Sequence, residues 1–312
     1  MATRRKKAGI NGSTIVIALI LILAALWSAF PFLFALRNAF MELQDTYRPL
    51  FIPFLQFEPT LQTWASELSP RSGLRSALQN SIIVAVMTLL ITLPLGTLAG
   101  YALARFSYRL PDNPNLLFWF LSQRMLPPAV VIVPFLLMMR SACGPIELPY
   151  LGIALPQPLQ LYCLATDSRS LLNNLASLVI AHVTFNLPFV VLITRSIFKD
   201  LPKALEEAAL VDGASALAVF RHIALPLAGP GLVAAALITF AFSWNEFIFA
   251  LILTGPATET LPLMIGSGEG IRSVDYPVVS VRALIAILPP VIFALLAQRF
   301  IVRGLTLGAV KG

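Results

Sequence analysis

The sequence predicts an all-α membrane protein with six transmembrane helices. Of its 312 residues, 58% are hydrophobic and only 12% are charged, and the mean hydropathy is +0.83. So few ionisable groups cannot cover the surface of a soluble globule of this size. Six apolar runs are also long enough to cross about 30 Å of hydrocarbon at about 1.5 Å per residue. A lipid bilayer is therefore the expected solvent for most of the chain.

The six predicted spans are apolar runs of more than 20 residues with few charges inside them. They are Ser13–Leu36, Leu78–Ala104, Asn115–Met139, Leu175–Phe198, Leu227–Leu253 and Pro277–Ile301. We expect residues 1–12 to form a tail, 13–304 a single transmembrane domain and 305–312 a second tail. Basic residues precede the first span, but its apolar core is too long for a cleaved signal, so we interpret it as a retained anchor.

The distribution of lysine and arginine predicts the orientation in the membrane. Thirteen of the 22 basic residues fall on the side that holds the N-terminus, and eight fall on the opposite side, where nine acidic residues nearly neutralise them. Cytoplasmic loops retain such an excess of positive charge. Both termini are therefore expected in the cytoplasm, and the net charge of +7 is explained without a nucleic-acid partner.

One outer segment, residues 141–174, contains several prolines and both cysteines, Cys143 and Cys163. An oxidising periplasm would permit a disulfide between them. Free cysteine is equally at home as a small apolar residue near helix ends. The sequence leaves both interpretations open.

The residues required for catalysis or metal binding are missing from the sequence. It has two histidines, no HExxH or GxSxG motif, and no cysteines at metal-ligand spacing. No lysine is followed by Ser or Thr, so no phosphate loop for ATP is present. His182 lies within the fourth span, where a neutral imidazole bonded to a neighbouring helix is favoured over a metal or proton site. The sequence predicts neither an enzyme nor a bound cofactor.

The cytoplasmic loop 199–226 has strong helix signals. Pro202 precedes a predicted helix that Gly213 ends, and a second short helix is expected from Ser215 to about His222, before Pro226. On the first helix, the predicted apolar face is Leu201, Leu205, Ala208 and Ala209, with Lys203, Glu206 and Asp212 pointing elsewhere. The helix is acidic and its apolar face is small, so a protein groove is a better partner than an anionic membrane surface.

The segment EEAALVDGASALAVFRHIALPLAGPGL resembles the EAA loop of the permease subunits of bacterial ABC importers. The segments GYALARF, RMLPPAVVIVP and SWNEFIFALILT are similar to the maltose-type, carbohydrate-importing branch, and the resemblance runs from about Asn80 onward. It implies the type I (MetI-like) permease bundle. It also implies an ATPase-coupling site, whose residues here are Glu206, Glu207, Ala208, Ala209, Asp212, Gly213, Ile223 and Pro226. Glu207 is the expected polar anchor, pairing with a basic group of the ATPase. The outer segment 141–174 is longer than the family leads one to expect.

The same resemblance implies the partners and the location. We expect a multi-pass protein of the bacterial inner membrane, paired with a sister permease as a heterodimer. Two ATPase subunits would bind the ATP and Mg²⁺, and a periplasmic or lipid-anchored binding protein would deliver a sugar, polyol or related hydroxylated solute. An ATP-independent secondary transporter or channel is the alternative, with buried ionisable residues as an ion relay.

Polar residues inside the predicted spans suggest a solute route. The candidates are Gln123, Arg124, Asn186, Trp244, Asn245 and Glu246. Amides can bond hydroxyl groups and aromatic faces can stack on sugar rings. Polar residues that bond neighbouring helices together look the same in one sequence, so the structural interpretation stays open. By distance along their helices, Arg124 and Glu246 are not required to meet.

Overall fold

The computed structural model describes residues 12–141, 146–148, 153–155, 170–267 and 274–309, which are mainly helical. The helices are α1 (Gly12–Asn38), α2 (Leu43–Thr46), α3 (Gln62–Glu67), α4 (Leu74–Arg105), α5 (Asn113–Met125), α6 (Pro128–Ser141), α7 (Leu175–Asp200), α8 (Lys203–Val211), α9 (Ala216–Val219), α10 (Leu225–Trp244), α11 (Ile248–Leu253), α12 (Leu261–Ser267) and α13 (Tyr276–Ala309). Two short antiparallel strands, β1 (Ile146–Leu148) and β2 (Ile153–Leu155), lie in the outer segment 141–174. Cys143 and Cys163, and with them the disulfide question, fall outside the described residues.

Five helices in the described part of the chain are long and apolar enough to cross a membrane. They are Thr14–Asn38, Leu74–Arg105, Leu175–Asp200, Ala216–Trp244 and Tyr276–Arg299. A sixth crossing is completed if α5 and α6 form one broken span. The all-α membrane fold is thus confirmed, and the count reaches the predicted six on that basis.

The third span is not the continuous helix that was predicted over Asn115–Met139. Helix α5 ends at Met125, α6 begins at Pro128, and the two helices are bent by 93°. Proline has no backbone N–H to donate, and it disfavours helical geometry in the residue before it. Leu126 and Pro127 both precede a proline, and Leu126 is extended, with φ −71° and ψ 118°. The dipeptide Pro127-Pro128 therefore breaks the span.

The fifth span also ends earlier than its predicted boundary at Leu253. Helix α10 ends at Trp244, and α11 begins at Ile248 after a short break. The carboxylate of Glu246, within the break, accepts hydrogen bonds from the backbone N–H groups of Phe249 at 2.8 Å and Ala250 at 3.2 Å. These bonds satisfy donors that the start of a helix leaves without partners, and so stabilise a new helix.

The cytoplasmic loop follows most of its sequence signals. Helix α8 ends before Gly213, which has φ +88°, and the hydroxyl of Ser215 accepts a hydrogen bond from the Ala218 N–H at 3.3 Å. The expected stop before Pro226 is wrong: α9 runs through one π-helical turn, Phe220–Ala224, directly into α10. The wider turn accommodates the ring of Pro226, which would collide with the preceding turn of a regular α-helix.

The chain divides into two compact units. The first consists of Met1–Arg71 with Gly268–Ile285. Within it, the Arg37 guanidinium donates to the carbonyls of Leu50 and Arg48, and Glu67 forms an ion pair with Arg282 at 2.7 Å. These contacts fix the segment that follows α1. Almost all of the described α1 side chains are exposed and apolar, as lipid-facing residues are.

The second unit consists of Ser72–Ser267 with Ala286–Gly312, and α4 and α7 pack closely at its centre. A side chain added at Gly96 would collide with Val190, and one added at Gly100 would collide with Thr194. These two pairs run in the same chain direction, so the inner ends of α4 and α7 lie side by side. A helix face that contains glycines favours close packing against another helix, and in this protein the other helix belongs to the same chain.

Candidate functional site

Helix α8 protrudes at the cytoplasmic end of the second unit with apolar side chains in solvent. The exposed fractions are 48% for Leu205, 49% for Leu210, 88% for Val211 and, on α9, 72% for Leu217. Large apolar side chains outside the membrane favour contact with another protein. We call these four residues the apolar face of the loop.

Glu206 is one of the predicted ATPase-coupling residues, but its side chain is buried inside the subunit. It is only 7% exposed, and its carboxylate accepts hydrogen bonds from Arg105 at 2.6 and 2.9 Å and from the Tyr101 hydroxyl at 2.9 Å. Arg105 also donates to the Leu201 carbonyl at 3.3 Å. A buried carboxylate requires charged or hydrogen-bonding partners. The Glu206 carboxylate finds all of these partners within its own subunit.

An aromatic cluster supports this ion pair from the membrane side. The Tyr101 ring lies 5.1 Å from that of Phe198 and 4.8 Å from that of Phe220, measured between centroids. These rings come from α4, α7 and the π-helical turn. The inner ends of three spans and the protruding helix thus share one packed cluster, which limits independent movement of α8.

The remaining predicted coupling residues lie on the outside of the loop or near it. Glu207, Ala208, Asp212, Gly213 and Pro226 are exposed, and Ala209 and Ile223 are half-buried. Adding a side chain at Gly213 would meet no atom within 4 Å, so its backbone conformation, and not crowding, is what favours glycine. The structure therefore separates the two neighbouring glutamates: Glu206 faces the bundle and Glu207 faces solvent.

A second feature is a cavity of about 280 Å³ inside the membrane region of the second unit. Its polar lining consists of Arg124, His182, Asn186 and Glu246, and its apolar walls include Phe185, Phe242 and Phe249. Arg124 and Glu246, which the sequence did not require to meet, line the same space. Arg124 lies in the last turn of α5, just before the break in the third span, and Glu246 lies within the break in the fifth span.

A hydrogen-bond network crosses the helices beside this cavity. His182 Nδ1 lies 2.7 Å from the Ser243 hydroxyl oxygen, and His182 Nε2 lies 3.3 Å from Glu246 Oε2. A carboxylate only accepts, so in the neutral imidazole Nε2 carries the proton and the Ser243 hydroxyl donates to Nδ1. The expectation that His182 bonds a neighbouring helix is confirmed. Glu246, which also caps α11, has a clear structural role.

Arg124 and Asn186 retain polar atoms that can serve a ligand. The Arg124 guanidinium donates to the Phe185 carbonyl at 3.2 Å and lies over the rings of Phe242, at 4.5 Å, and Phe189, at 5.0 Å. Asn186 donates from Nδ2 to the His182 carbonyl at 2.8 Å, whereas its buried Oδ1 has no hydrogen-bond partner in the described structure. A buried acceptor without a donor is unfavourable, so a hydroxyl group entering the cavity would be stabilised there.

The other three predicted route residues do not line this cavity. Trp244 is buried, donates to the Ala286 carbonyl at 3.1 Å and stacks on Phe240. Asn245 is exposed and donates to the Ala241 carbonyl of its own helix at 2.8 Å. Gln123 is half-buried next to Arg124, outside the lining. Adjacent residues of a helix point to different sides of it, so polar residues that are neighbours in the sequence need not line the same cavity.

Sequence reasoning missed two residues that the structure makes central. Arg105 and Tyr101, within GYALARF, contact Glu206 across about a hundred residues. Ser243, considered from the sequence only as a polar residue of the fifth span, bonds His182. For Arg105 a signal existed: an arginine that ends an apolar span faces the same membrane boundary as the loop. From the sequence, the charge of Arg105 served only as part of the evidence for the orientation in the membrane. The Ser243 pairing had no comparable signal.

Comparisons with known proteins agree with these features. The family described as "Binding-protein-dependent transport system inner membrane component" matches residues 92–307. The trehalose/maltose transport system permease protein MalG of Thermococcus litoralis is 32% identical over 296 residues, covering 93% of this chain and 94% of that protein. The trehalose transport system permease protein SugB of Mycobacterium tuberculosis is 34% identical over 240 residues, covering 76% and 77%.

A solved structure has the same fold. The crystal structure of a bacterial ABC transporter involved in the import of the acidic polysaccharide alginate matches with a TM-score of 0.67. The match covers 95% of this chain and 99% of that one, at 19% sequence identity. At this level of identity the similarity concerns the fold.

Proposed function

Because this chain belongs to the binding-protein-dependent transport system inner membrane component family, we propose that loop 199–226 docks a separate ATPase subunit, and that the bundle passes a neutral hydroxylated solute. The chain is a multi-pass permease subunit of an inner-membrane importer and is not itself an enzyme. Its relatives include proteins described as probable ABC transporter permeases, so the alternative of an ATP-independent transporter is not favoured.

The observation that carries the docking proposal is the apolar face Leu205, Leu210, Val211 and Leu217 at the cytoplasmic end of the bundle. The same helix is held to the bundle by the ion pair of Glu206 with Arg105. A helix that is anchored to the bundle and also carries exposed apolar side chains transmits a push or pull from a bound partner to the spans. The coupling residues that face outward, led by Glu207, form the polar rim of the proposed contact.

We assign complementary roles to the neighbouring residues. Glu207 pairs with a basic group of the ATPase, and Ala208 and Ala209 permit its close approach. The turn after α8 is formed by Asp212 and Gly213. The continuous helix that leads into α10 contains Ile223 and Pro226. Glu206 acts by positioning α8 and does not touch the ATPase, which revises its role in the coupling site.

The assembly proposed from the family contains two permease subunits and two ATPase subunits that bind ATP and Mg²⁺. A periplasmic or lipid-anchored binding protein delivers the solute. The partner permease is a sister chain, giving a heterodimer. Support for this assembly comes from the resemblance of the loop to the EAA loop of ABC importers, which implies an ATPase subunit as its partner.

The solute class is inferred from the membrane cavity. Its charged side chains are one cation, Arg124, and one anion, Glu246, so the formal charges sum to zero. Its aromatic walls suit the apolar faces of sugar rings, and Asn186 Oδ1 and Arg124 supply an acceptor and donors for hydroxyl groups. The relatives named for trehalose and maltose transport carry neutral disaccharides. A neutral sugar or polyol fits these observations best.

Docking is tested with one pair of variants in the purified importer complex. Val211→Asp places a charge on the apolar face and should weaken retention of the ATPase subunit about tenfold or more. Leu110→Asp is the matched control, since Leu110 is 96% exposed on the same side of the membrane but lies outside the loop. Equal ATPase retention by the two variants would contradict the docking proposal.

The solute site is tested by a second matched pair, Asn186→Ala and Asn245→Ala. Each asparagine donates from Nδ2 to a carbonyl four residues earlier at 2.8 Å, but only Asn186 lines the cavity. We expect Asn186→Ala to raise the solute concentration needed for half-maximal ATPase stimulation about five- to tenfold, and Asn245→Ala to leave it unchanged. A panel of neutral disaccharides, polyols and anionic sugars identifies the solute; stimulation by anionic sugars alone would reject the proposed class.

A further inference from the structure

A second cavity lies at the cytoplasmic end of the second unit, where α4 ends, α5 begins and α7 ends. Its volume is about 470 Å³, and it lies beside the ion pair of Arg105 and Glu206. Four basic residues line it: Arg105, Arg195, Lys199 and Lys203. Lys199 and Lys203 belong to loop 199–226, whereas Arg105 and Arg195 lie on the spans, and none of the four is among the residues to which we assigned ATPase contact.

Two guanidinium groups in this cavity have buried donors that lack a partner. Among the described residues, no acceptor reaches Arg105 Nη1 or Arg195 Nε, although both atoms are shielded from solvent. The Arg105 side chain is only 7% exposed. A buried donor without an acceptor is unfavourable and rare in folded proteins. Two of them beside one cavity show that donors outnumber acceptors at this end of the bundle.

The charges around the cavity favour an anion. Glu206, which lies outside the lining, neutralises Arg105. The one carboxylate among the lining residues is that of Asp112, which accepts from the Asn115 N–H at 3.0 Å and caps α5. In the part of the chain that the structure describes, no ion pair involves Arg195, Lys199 or Lys203. Three cations therefore face one carboxylate. Like charges at such proximity repel unless a counter-charge is bound.

The close packing of α4 and α7 brings these residues together. Gly100 leaves space for Thr194 and the Arg195 backbone, so the last turns of both helices meet at the membrane boundary. The same rim carries Phe106 and Tyr108, which are 53% and 43% exposed. Basic groups next to exposed aromatic residues at the end of a span are typical of the headgroup region of a bilayer.

We propose that this cavity binds the phosphate group of an anionic phospholipid from the cytoplasmic leaflet. Arg195, Lys199 and Lys203 hold the phosphate through their charges and their N–H donors. The acyl chains lie along the exposed apolar surface of the spans. A lipid is favoured over a soluble anion because the site is at the ends of three membrane helices and has an aromatic rim. The anionic leaflet also concentrates its lipids at such basic groups.

The test counts bound lipid on the whole purified importer by native mass spectrometry. Phosphatidylglycerol is titrated against phosphatidylcholine and, separately, inorganic phosphate. We expect tight binding of phosphatidylglycerol only, and about fivefold weaker binding in each of Arg195→Gln and Lys199→Gln. Arg109→Gln is the control, because it removes one exposed charge on the same side outside the cavity and should leave binding unchanged.

A second measurement distinguishes a loss of lipid binding from a loss of folding in a variant. Phosphatidylglycerol should raise the Tm of the wild-type complex and of Arg109→Gln, but not that of the double variant Arg195→Gln/Lys199→Gln. An equal effect of inorganic phosphate would assign the site to a soluble anion and overturn the proposal. Unchanged lipid binding in both cavity variants, or loss of the ATPase subunit without any lipid effect, would overturn it as well.

Discussion

Glu206 and Arg105, 101 residues apart in the chain, form a buried ion pair at 2.6 Å at the cytoplasmic end of the bundle. The pair connects the protruding helix α8 to the end of α4, and the Tyr101 hydroxyl donates to the same carboxylate. Glu207, the next residue, is exposed. Adjacent glutamates thus have different environments, which allows anchoring and docking to be separated by experiment.

Glu206→Gln and Glu207→Gln should affect different properties. Removing the buried charge at Glu206 leaves Arg105 without its counter-charge and should lower the free energy of unfolding by about 3–5 kcal/mol. Glu207→Gln should leave the Tm of the permease within about 1 °C, since surface substitutions have small effects, but weaken ATPase retention. Thermal unfolding and co-purification provide the two readouts. The assignment fails if Glu207→Gln destabilises the permease as much as Glu206→Gln does.

Gly213→Val should uncouple ATP hydrolysis from uptake. Gly213 has φ +88°, where a β-branched residue is strained by about 1–2 kcal/mol, and the turn after α8 would shift. Gly213→Asn is the milder variant, because asparagine tolerates this conformation. The ratio of solute imported to ATP hydrolysed in proteoliposomes is the measurement. Normal coupling in Gly213→Val would show that the turn is not required.

Gly100→Ala should disturb the packing of α4 on α7, whereas Gly229→Ala should not. A side chain at Gly100 collides with Thr194, and one at Gly229 meets no atom within 4 Å. Overpacking of this kind destabilises by about 1–3 kcal/mol, while replacing a glycine within a helix stabilises by about 0.5–1 kcal/mol. Thermal unfolding of the two variants in the same detergent should therefore shift in opposite directions. A lower Tm for Gly229→Ala would reject the packing argument.

Glu67→Gln should destabilise the first unit more than Asp45→Asn. The ion pair of Glu67 with Arg282 is buried at 2.7 Å, whereas Arg48, the partner of Asp45, has a 69% exposed side chain at 4.0 Å. Breaking a buried pair has a cost of about 3–5 kcal/mol, and an exposed pair contributes at most about 1 kcal/mol. Limited proteolysis of the segment between α1 and α4 compares the two variants. Similar cleavage rates would contradict the expected difference.

The sequence by itself determined the membrane fold and the family, and it predicts the orientation. Hydrophobic runs long enough to span a bilayer, the basic residues beside them and the EAA-like segment are local patterns, and each requires only neighbouring residues to be recognised. For the same reason, it correctly gave the first helix of loop 199–226 and its glycine end. The breaks at Pro127 and Glu246 were missed because apolar composition continues through them.

Only the tertiary structure decided which polar residues meet. Arg105 reaches Glu206 because the glycine face of α4 packs closely on α7, and Arg124 and Glu246 line one cavity next to the breaks in two spans. The same helix geometry placed Glu206 inside, Glu207 outside, and Trp244 and Asn245 away from the cavity. Such contacts depend on helix rotation and packing over about a hundred residues. Hydrophobic periodicity alone does not fix either quantity, because lipid and protein interior are both apolar.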